Sequence, residues 1–303
     1  MKKQITNQIA GWMAGVAGLL FLSACSYRST EEDWEKNGRV RLHLTWTKAE
    51  QPSAMTYYFY KNGTGRPIVR SGNASGYEGS LPAGNYKVAI CNSDCNNVVL
   101  HMDDSYETAW GKVRQVSSLK SSSVCIAQPE NLYACSCEQV TAGGEGVFVE
   151  ELFPSSLVKT LELNIKIVGS EEASISLSGL SGRLTGVSSQ VHIPTGEPFF
   201  ETPAFLTFDP EQVAAGVYST SLNLFGLSGR ESGSESVCLY LTLKMSNGKE
   251  ITSFADITDE VDSAFDKSVS AHVVLDLQVE YDSVSGMKIT LKGWKEGTGE
   301  VGN

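Results

Sequence analysis

The chain is 303 residues long, and 41% hydrophobic with 19% charged residues is the balance of a chain that folds around a core. Its net charge of −11, with no cluster of basic residues, excludes nucleic acid as a partner class and disfavours an anionic lipid surface gripped by charge.

Lys2 and Lys3 precede a small and apolar run through Trp12, Met13, Val16, Leu19, Leu20 and Phe21, which ends in Leu22-Ser23-Ala24-Cys25. A basic start, an apolar stretch too short for a comfortable membrane span and small residues at the cut are the parts of a secretory signal peptide. Cysteine directly after Leu-Ser-Ala makes the segment resemble the bacterial lipobox, in which the cysteine is acylated and becomes the new N-terminus. Residues 1–24 are therefore expected to be removed. Cys25 is expected to carry the lipid, palmitate included, since several acyl chains hold a protein on a membrane where one would not. Residues 25–38 are polar, with Glu31, Glu32, Asp33 and Glu35, and read as a lipidated tether in which Trp34 docks on the body. Ser26 stands where an acidic residue would, by resemblance to enteric lipoproteins, mark inner-membrane retention; its presence favours the outer membrane.

Strand patterns follow, in what is read as a first β-sandwich over 39–145. Arg39 to Trp46 alternates polar and apolar, placing Val40, Leu42, Leu44 and Trp46 on one face and His43 on the other. Thr56 to Tyr60 is an aromatic-rich strand, closed by the turn Lys61-Asn62-Gly63-Thr64-Gly65, where Asn-Gly readily takes positive φ. Pro67 to Arg70 resumes and Ser71-Gly72-Asn73 breaks. Leu81-Pro82-Ala83-Gly84 turns the chain into a strand over Asn85 to Cys91. Further strands are expected over 97–101, 108–116 and 132–140, with a serine-rich loop at 117–123. Thr141 to Gly146, rich in glycine, is the expected linker.

The second half, 146–303, repeats the style. Thr160 to Ile167 alternates with period two, and strands are expected over 173–180, 199–208, 217–225 and 237–245. Asn247-Gly248 makes a hairpin back into Ile251 to Phe254. Ser253-x-x-Asp256 resembles a capping box, and Ile257, Val261 and Phe265 would then bury one face of a short helix. Strands over 273–281 and 287–294 close the domain. Roughly seven strands per half, with almost no helix to carry parallel crossovers, predict an all-β fold of two tandem antiparallel sandwiches.

Little chemistry is written in these residues. The four histidines, His43, His101, His192 and His272, belong to no motif. Gly179-Leu180-Ser181-Gly182 lacks the second glycine of a nucleophile elbow, because Arg183 occupies that place. Asp103-Asp104 is too small a set for calcium. Cys91, Cys95, Cys125, Cys135, Cys137 and Cys238 do not follow zinc spacing and read as structural disulfides or buried thiols. No catalytic residue, metal ligand or cofactor is expected, and the chain is read as a non-enzyme. Trp46, Tyr57, Tyr58, Tyr60, Tyr77, Tyr86 and Trp110 crowd the first half, where they are either core or a platform for sugar rings. Gly179-Leu180-Ser181-Gly182-Arg183 recurs as Gly226-Leu227-Ser228-Gly229-Arg230, read as one turn chemistry used twice.

Taken together, the lipobox and acidic tether, Val40-Arg41-Leu42-His43-Leu44-Thr45-Trp46, Leu81-Pro82-Ala83-Gly84-Asn85-Tyr86, Ile175-Ser176-Leu177-Ser178-Gly179-Leu180-Ser181-Gly182 and the terminal strand with Trp294 resemble the FimB-like lipoproteins of Bacteroidales, the minor and anchor subunits of fimbriae. The resemblance implies two transthyretin-like, Greek-key sandwiches and a non-enzymatic role in cell adhesion as fimbrial anchor, cap or accessory subunit at the outer membrane. It also implies partners that are other fimbrial subunits, joined by β-strand addition. On this reading Met287 to Trp294, with Ile289, Leu291 and Trp294, is the donor or closing strand, and Val40, Leu42, Leu44 and Trp46 line the edge to watch. Asp262-Ser263-Ala264 and Asp282-Ser283-Val284 are similar to the acceptor triplet for O-glycans in this bacterial group, making Ser263 and Ser283 candidate sites. The alternative is a surface lipoprotein that binds glycans, as a further partner, for a polysaccharide uptake system; it predicts an aromatic-lined concave site.

Overall fold

The computed structural model describes residues 37–47, 51–117, 123–144, 146–169, 177–229, 236–267, 271–282 and 286–297. The signal segment, Cys25, the tether up to residue 36 and Ser283 lie outside them. In the first half the chain forms β1 (Asn37–Leu44), β2 (Ala54–Lys61), β3 (Ile68–Asn73), β4 (Gly76–Pro82), β5 (Gly84–Cys91), β6 (Val98–His101), a 3-10 turn (Tyr106–Thr108), β7 (Trp110–Val113), β8 (Gln115–Ser117), β9 (Val124–Ile126), β10 (Tyr133–Ala142), β11 (Val147–Leu152) and β12 (Ser155–Ser156). The second half adds β13 (Lys159–Gly169), β14 (Leu177–Thr185), β15 (Gln190–His192), β16 (Pro198–Phe199), β17 (Ala204–Phe208), β18 (Glu211–Ala214), β19 (Val217–Leu224), β20 (Cys238–Met245), β21 (Glu250–Asp256), α1 (Thr258–Lys267), β22 (His272–Asp282) and β23 (Gly286–Glu296).

The first sandwich is one eight-stranded sheet, in the order β11-β1-β4-β3-β2-β5-β10-β12. Its core is drawn from that sheet alone: Val40, Leu42 and Leu44 of β1 meet Tyr57 and Phe59 of β2, Val88 and Ile90 of β5, Val140 of β10 and Leu152 of β11. A sheet can bury its own face only by curling, and here β10 comes to lie against β1 and β11 with no ladder between β10 and β11. Period-two alternation explains β1, whose even-numbered side chains are buried from Gly38 to Leu44. Strand β2 departs from it. Tyr60 is as fully buried as Tyr57 and Phe59, because the outer face of β2 and β5 is covered too.

That cover is a four-stranded sheet, β16-β15-β7-β6, shared between the halves. Tyr60, Ala89 and Cys91 run through it into one continuous core with Val98, Met102, Val191 and Ile193 and on into the second sandwich. The Tyr60 hydroxyl donates to the Met102 carbonyl at 2.8 Å, which satisfies a buried polar group at the joint.

The second sandwich packs a six-stranded sheet, β21-β20-β14-β17-β9-β8, on a five-stranded one, β18-β19-β13-β22-β23. Leu161, Leu163 and Ile165 of β13 and Leu275, Leu277 and Val279 of β22 face Leu239, Leu241 and Leu243 of β20. Helix α1 lies between β21 and β22 and buries Val261 and Ala264, with Ile257 just ahead of it. Its start is not a capping box. Ser253 sits in β21 opposite Leu241, and the Asp256 carboxylate instead accepts the Thr258 amide at 3.0 Å.

The all-β, two-sandwich reading holds, with three differences. Pairing is not wholly antiparallel: β1 runs parallel to β11, β13 to β22, and β9 to β17. Between β13 and β22 the crossover passes through the opposite sheet of the sandwich, so no crossover helix is required. The halves do not divide at residue 145. Strands β11 and β12 lie beyond it yet complete the first sheet, while β8 and β9 lie before it yet extend a sheet of the second sandwich. Neither 39–145 nor 146–303 is a self-contained piece of chain. Finally, Ser71-Gly72-Asn73 continues β3 instead of breaking it, and the two Gly-Leu-Ser-Gly copies differ: the first lies inside β14, the second follows β19.

Candidate assembly edges

Strand β1 is not an edge. It hydrogen-bonds antiparallel to β4 on one side and parallel to β11 on the other, with Leu42 between Tyr77 and Glu150. Val40, Leu42 and Leu44 are 0%, 1% and 6% exposed. Trp46 is half-buried, its indole nitrogen donating to the Ala74 carbonyl at 2.5 Å and its ring edge-on to Tyr133 at 5.6 Å. The expectation that these four residues line an open edge is corrected: they hold the first core, because β11 fills the ladder beside them.

The open edge belongs to β11. After the glycine turn at Gly143 and Gly144, both at positive φ, the chain crosses from β10 to the far side of the curled sheet and lays β11 along β1. Among the described residues, no strand pairs with the outer ladder of β11. Phe148 and Leu152 pack inward, while Val149 and Phe153 are 52% and 59% exposed. Beside them a cleft of about 860 Å³ is lined by His43, Thr45, Glu150, Glu151 and Phe153, among others. Thr45 fixes its floor, donating to Glu151 at 2.6 Å through its hydroxyl and to the Leu152 carbonyl at 2.9 Å through its amide. Across the seam, Cys135 and Cys137 of β10 pack against the same core. Burial, and then the neighbouring Cys137, pushes the Cys135 thiol up to about 12, so it is no nucleophile at neutral pH. An exposed apolar strand edge is a template for another strand, unless charges blunt it. Here Glu150 and Glu151 supply charge of one sign only.

Another edge strand is β23, at the end of the five-stranded sheet and paired with β22 along its length. Ile289 is buried, and Met287, Leu291 and Trp294 pack on the core half-exposed. The three-residue step from Leu291 to Trp294 breaks period two. A register shift resolves it: Leu291 pairs with Leu277 and Gly293 with Asp276, so one extra residue keeps Trp294 opposite Leu275. The terminal strand thus closes its own sheet, with its apolar side chains already engaged.

The remaining expected sites scatter. Tyr57, Tyr60, Tyr77 and Tyr86 are buried, leaving only Trp46, Tyr58 and Trp110 of the expected sugar platform half-exposed and on different elements. Ser263 lies in α1, half-buried between Val261 and Ala264. Cys91, Cys95, Cys125, Cys135 and Cys137 are unbridged thiols. Among the described residues, no three His, Cys, Asp or Glu side chains gather as a metal site. No described helix is long and apolar enough to cross a membrane. What the sequence reading missed is β11, whose signal was a short apolar run after the glycine turn.

Comparison with known proteins agrees with this architecture. The chain is 26% identical over 254 residues, covering 78% of itself and 75% of the relative, to a Bacteroides ovatus protein described as "Putative fimbrium anchoring subunit Fim4B". Its fold is similar to the fimbrial anchor protein Mfa2 from Porphyromonas gingivalis, with a TM-score of 0.57, 10% identity, and 84% of this chain and 98% of that one covered. A protein from Bacteroides ovatus described as a "putative adhesin" aligns with a TM-score of 0.60 and 20% identity, over 79% of this chain and 89% of that one. The family described as "Domain of unknown function (DUF5119)" matches residues 24–209, more than half of the chain, and the protein belongs to that family.

Proposed function

We propose that this protein is a non-enzymatic accessory subunit of a fimbrium, of the anchor type, held at the outer membrane by lipid on Cys25. Its assembly contact is strand addition on β11, where a neighbouring subunit's extended segment pairs with the free ladder beside β1. The observation that carries the reading is the open edge: an edge strand whose outer ladder no described strand fills, with exposed Val149 on it and Phe153 just past its end at the rim of a cleft, in a chain similar to a fimbrium anchoring subunit. Backbone hydrogen bonds would supply the affinity, and the side chains along β11 the register. Strand β23 is a second edge at which a neighbour could pair. Its side chains are committed to their own core, so donating it to a neighbour would open the second sandwich, which makes β11 the easier site.

Two experiments test this. Growth with labelled palmitate should mark the wild-type chain and leave Cys25→Ala unlabelled; label that persists in Cys25→Ala removes the anchor. Crosslinking in native outer membranes, followed by pull-down and mass spectrometry, should recover two-sandwich subunits or pilins. Recovery of a porin-type transporter with glycan-processing enzymes sinks the fimbrial role.

A further inference from the structure

We infer that a second cleft, at the end of the first sheet remote from Asn37, is a binding site for neutral saccharides. Antiparallel pairing along β1-β4-β3-β2-β5-β10 brings the end of β1, the start of β2, the end of β5 and the start of β10 to one end of that sheet. The segments leading into β2 and β10 and out of β5 enclose a cleft of about 620 Å³. Its wall carries Gln51, Asp94, Asn96, Glu130, Asn131 and Tyr133. These are two carboxylates, three carboxamides and a phenol, with no lysine or arginine among the described lining residues.

The cleft is built on a buried amide. Asn92 is 2% exposed, and its side chain donates to Asp94 at 2.8 Å and to the Asn131 carbonyl at 2.8 Å while accepting the Tyr133 amide at 2.7 Å. One side chain thus fixes all three neighbours that face the cleft. Asn96 donates to Glu130 at 2.6 Å, tying the loop after β5 to the loop before β10. Asn97 follows at φ 59, in the left-handed region, with its side chain on the Gln128 carbonyl at 3.2 Å. Trp46, edge-on to Tyr133, backs the aromatic wall.

The donor and acceptor inventory selects the ligand. Each carboxylate spends one oxygen on a neutral amide and keeps another that can only accept, while each carboxamide offers both functions. Adjacent hydroxyls of a sugar donate and accept in pairs, which suits alternating carboxylates and carboxamides on a preset frame. The Tyr133 ring gives the apolar C–H face of a pyranose something to lie on. Anionic ligands meet two carboxylates and are repelled. The site shares no lining residue with the β11 cleft and does not rest on the fimbrial reading.

The test uses the full purified chain and a panel of neutral gluco-, manno-, galacto- and xylo-oligosaccharides, read by saturation-transfer NMR and titration calorimetry. At least one class should bind, weakly and saturably. Glu130→Ala and Asn131→Ala, both at exposed positions, should weaken it about tenfold with unchanged melting, and Phe254→Ala, on the second sandwich, should leave it unchanged. No binding by any member of the panel overturns the proposal. So does binding that both cleft variants leave intact, or a titration in which calcium chloride alone gives a Glu130-dependent signal and the sugars give none.

Discussion

Leu42→Ala distinguishes a β1 built into the first core from one held loosely enough to be exchanged. Leu42 is 1% exposed, has a hydrogen-bonded strand on each side, and shares a core with Tyr57, Phe59 and Tyr77, whose ring centroids lie 5.3–6.4 Å apart. Truncating a buried leucine loses the transfer free energy of the removed carbons and leaves a void, at about 2–5 kcal/mol. Flat rings locked against one another collapse poorly into such a void, which puts this site in the upper part of the range, about 3–5 kcal/mol. At about 2–4 °C per kcal/mol for a chain of this size, the unfolding midpoint should fall by roughly 6–20 °C. The assay is thermal unfolding of the full chain followed by far-UV circular dichroism, with Val149→Ala as the reference. Val149 is 52% exposed, so that change should cost less than about 1 kcal/mol. Equal midpoints for the two variants would refute the placement of β1 in the core and return it to the list of exchangeable strands.

Three further outcomes follow from particular contacts. Gly76 has φ +144 and a Cβ there would run into the Leu42 carbonyl, so Gly76→Ala should lower stability by about 1–3 kcal/mol in a urea titration. Asp256→Ala removes the cap of α1 and should cost about 0.5–2 kcal/mol, whereas Ser253→Ala, in β21, should leave the helix signal unchanged. Lys87 lies 2.7 Å from Glu107 and 2.8 Å from Glu138. The hydrogen bond from Lys87, above all, holds the Glu138 carboxyl below its ordinary value of 4.5. A carboxyl lowered on folding stabilises fully above its unfolded value and ceases to do so as pH falls through the lowered one. Lys87→Met should therefore flatten the loss of stability on acidification below about pH 5, as read by urea midpoints across pH; an unchanged slope counts against the pair.

Alternation made β1 and β13 legible, since each has one face on a core and the other toward solvent or only partly covered. Asn62-Gly63 and Asn247-Gly248 marked their turns, with Gly63 and Gly248 both at positive φ. Pairing partners were not legible. Val147 to Leu152 looks like the tail of a linker, because nothing local says that it docks on a strand a hundred residues upstream. The aromatic residues misled for a related reason. Tyr57 and Tyr60 read alike as core or sugar platform, and only the cover over the outer face of β2 decides that both are core. The short strands β9 and β15 are two or three residues of ladder that exist because the halves interlock, a tertiary cause with no period to detect. The carboxamides of the second cleft are spread over three loops, and the first sheet's topology alone gathers them.

The most direct test of the assembly account is a photo-crosslinking side chain at Val149 in cells that make the fimbrium, with the same probe at Val213 of β18 as the exposed control. Strand addition on β11 predicts an adduct at Val149 with an extended segment of another fimbrial subunit, and none at Val213. Adducts at both positions alike, or at Val149 only with a transporter, would contradict it.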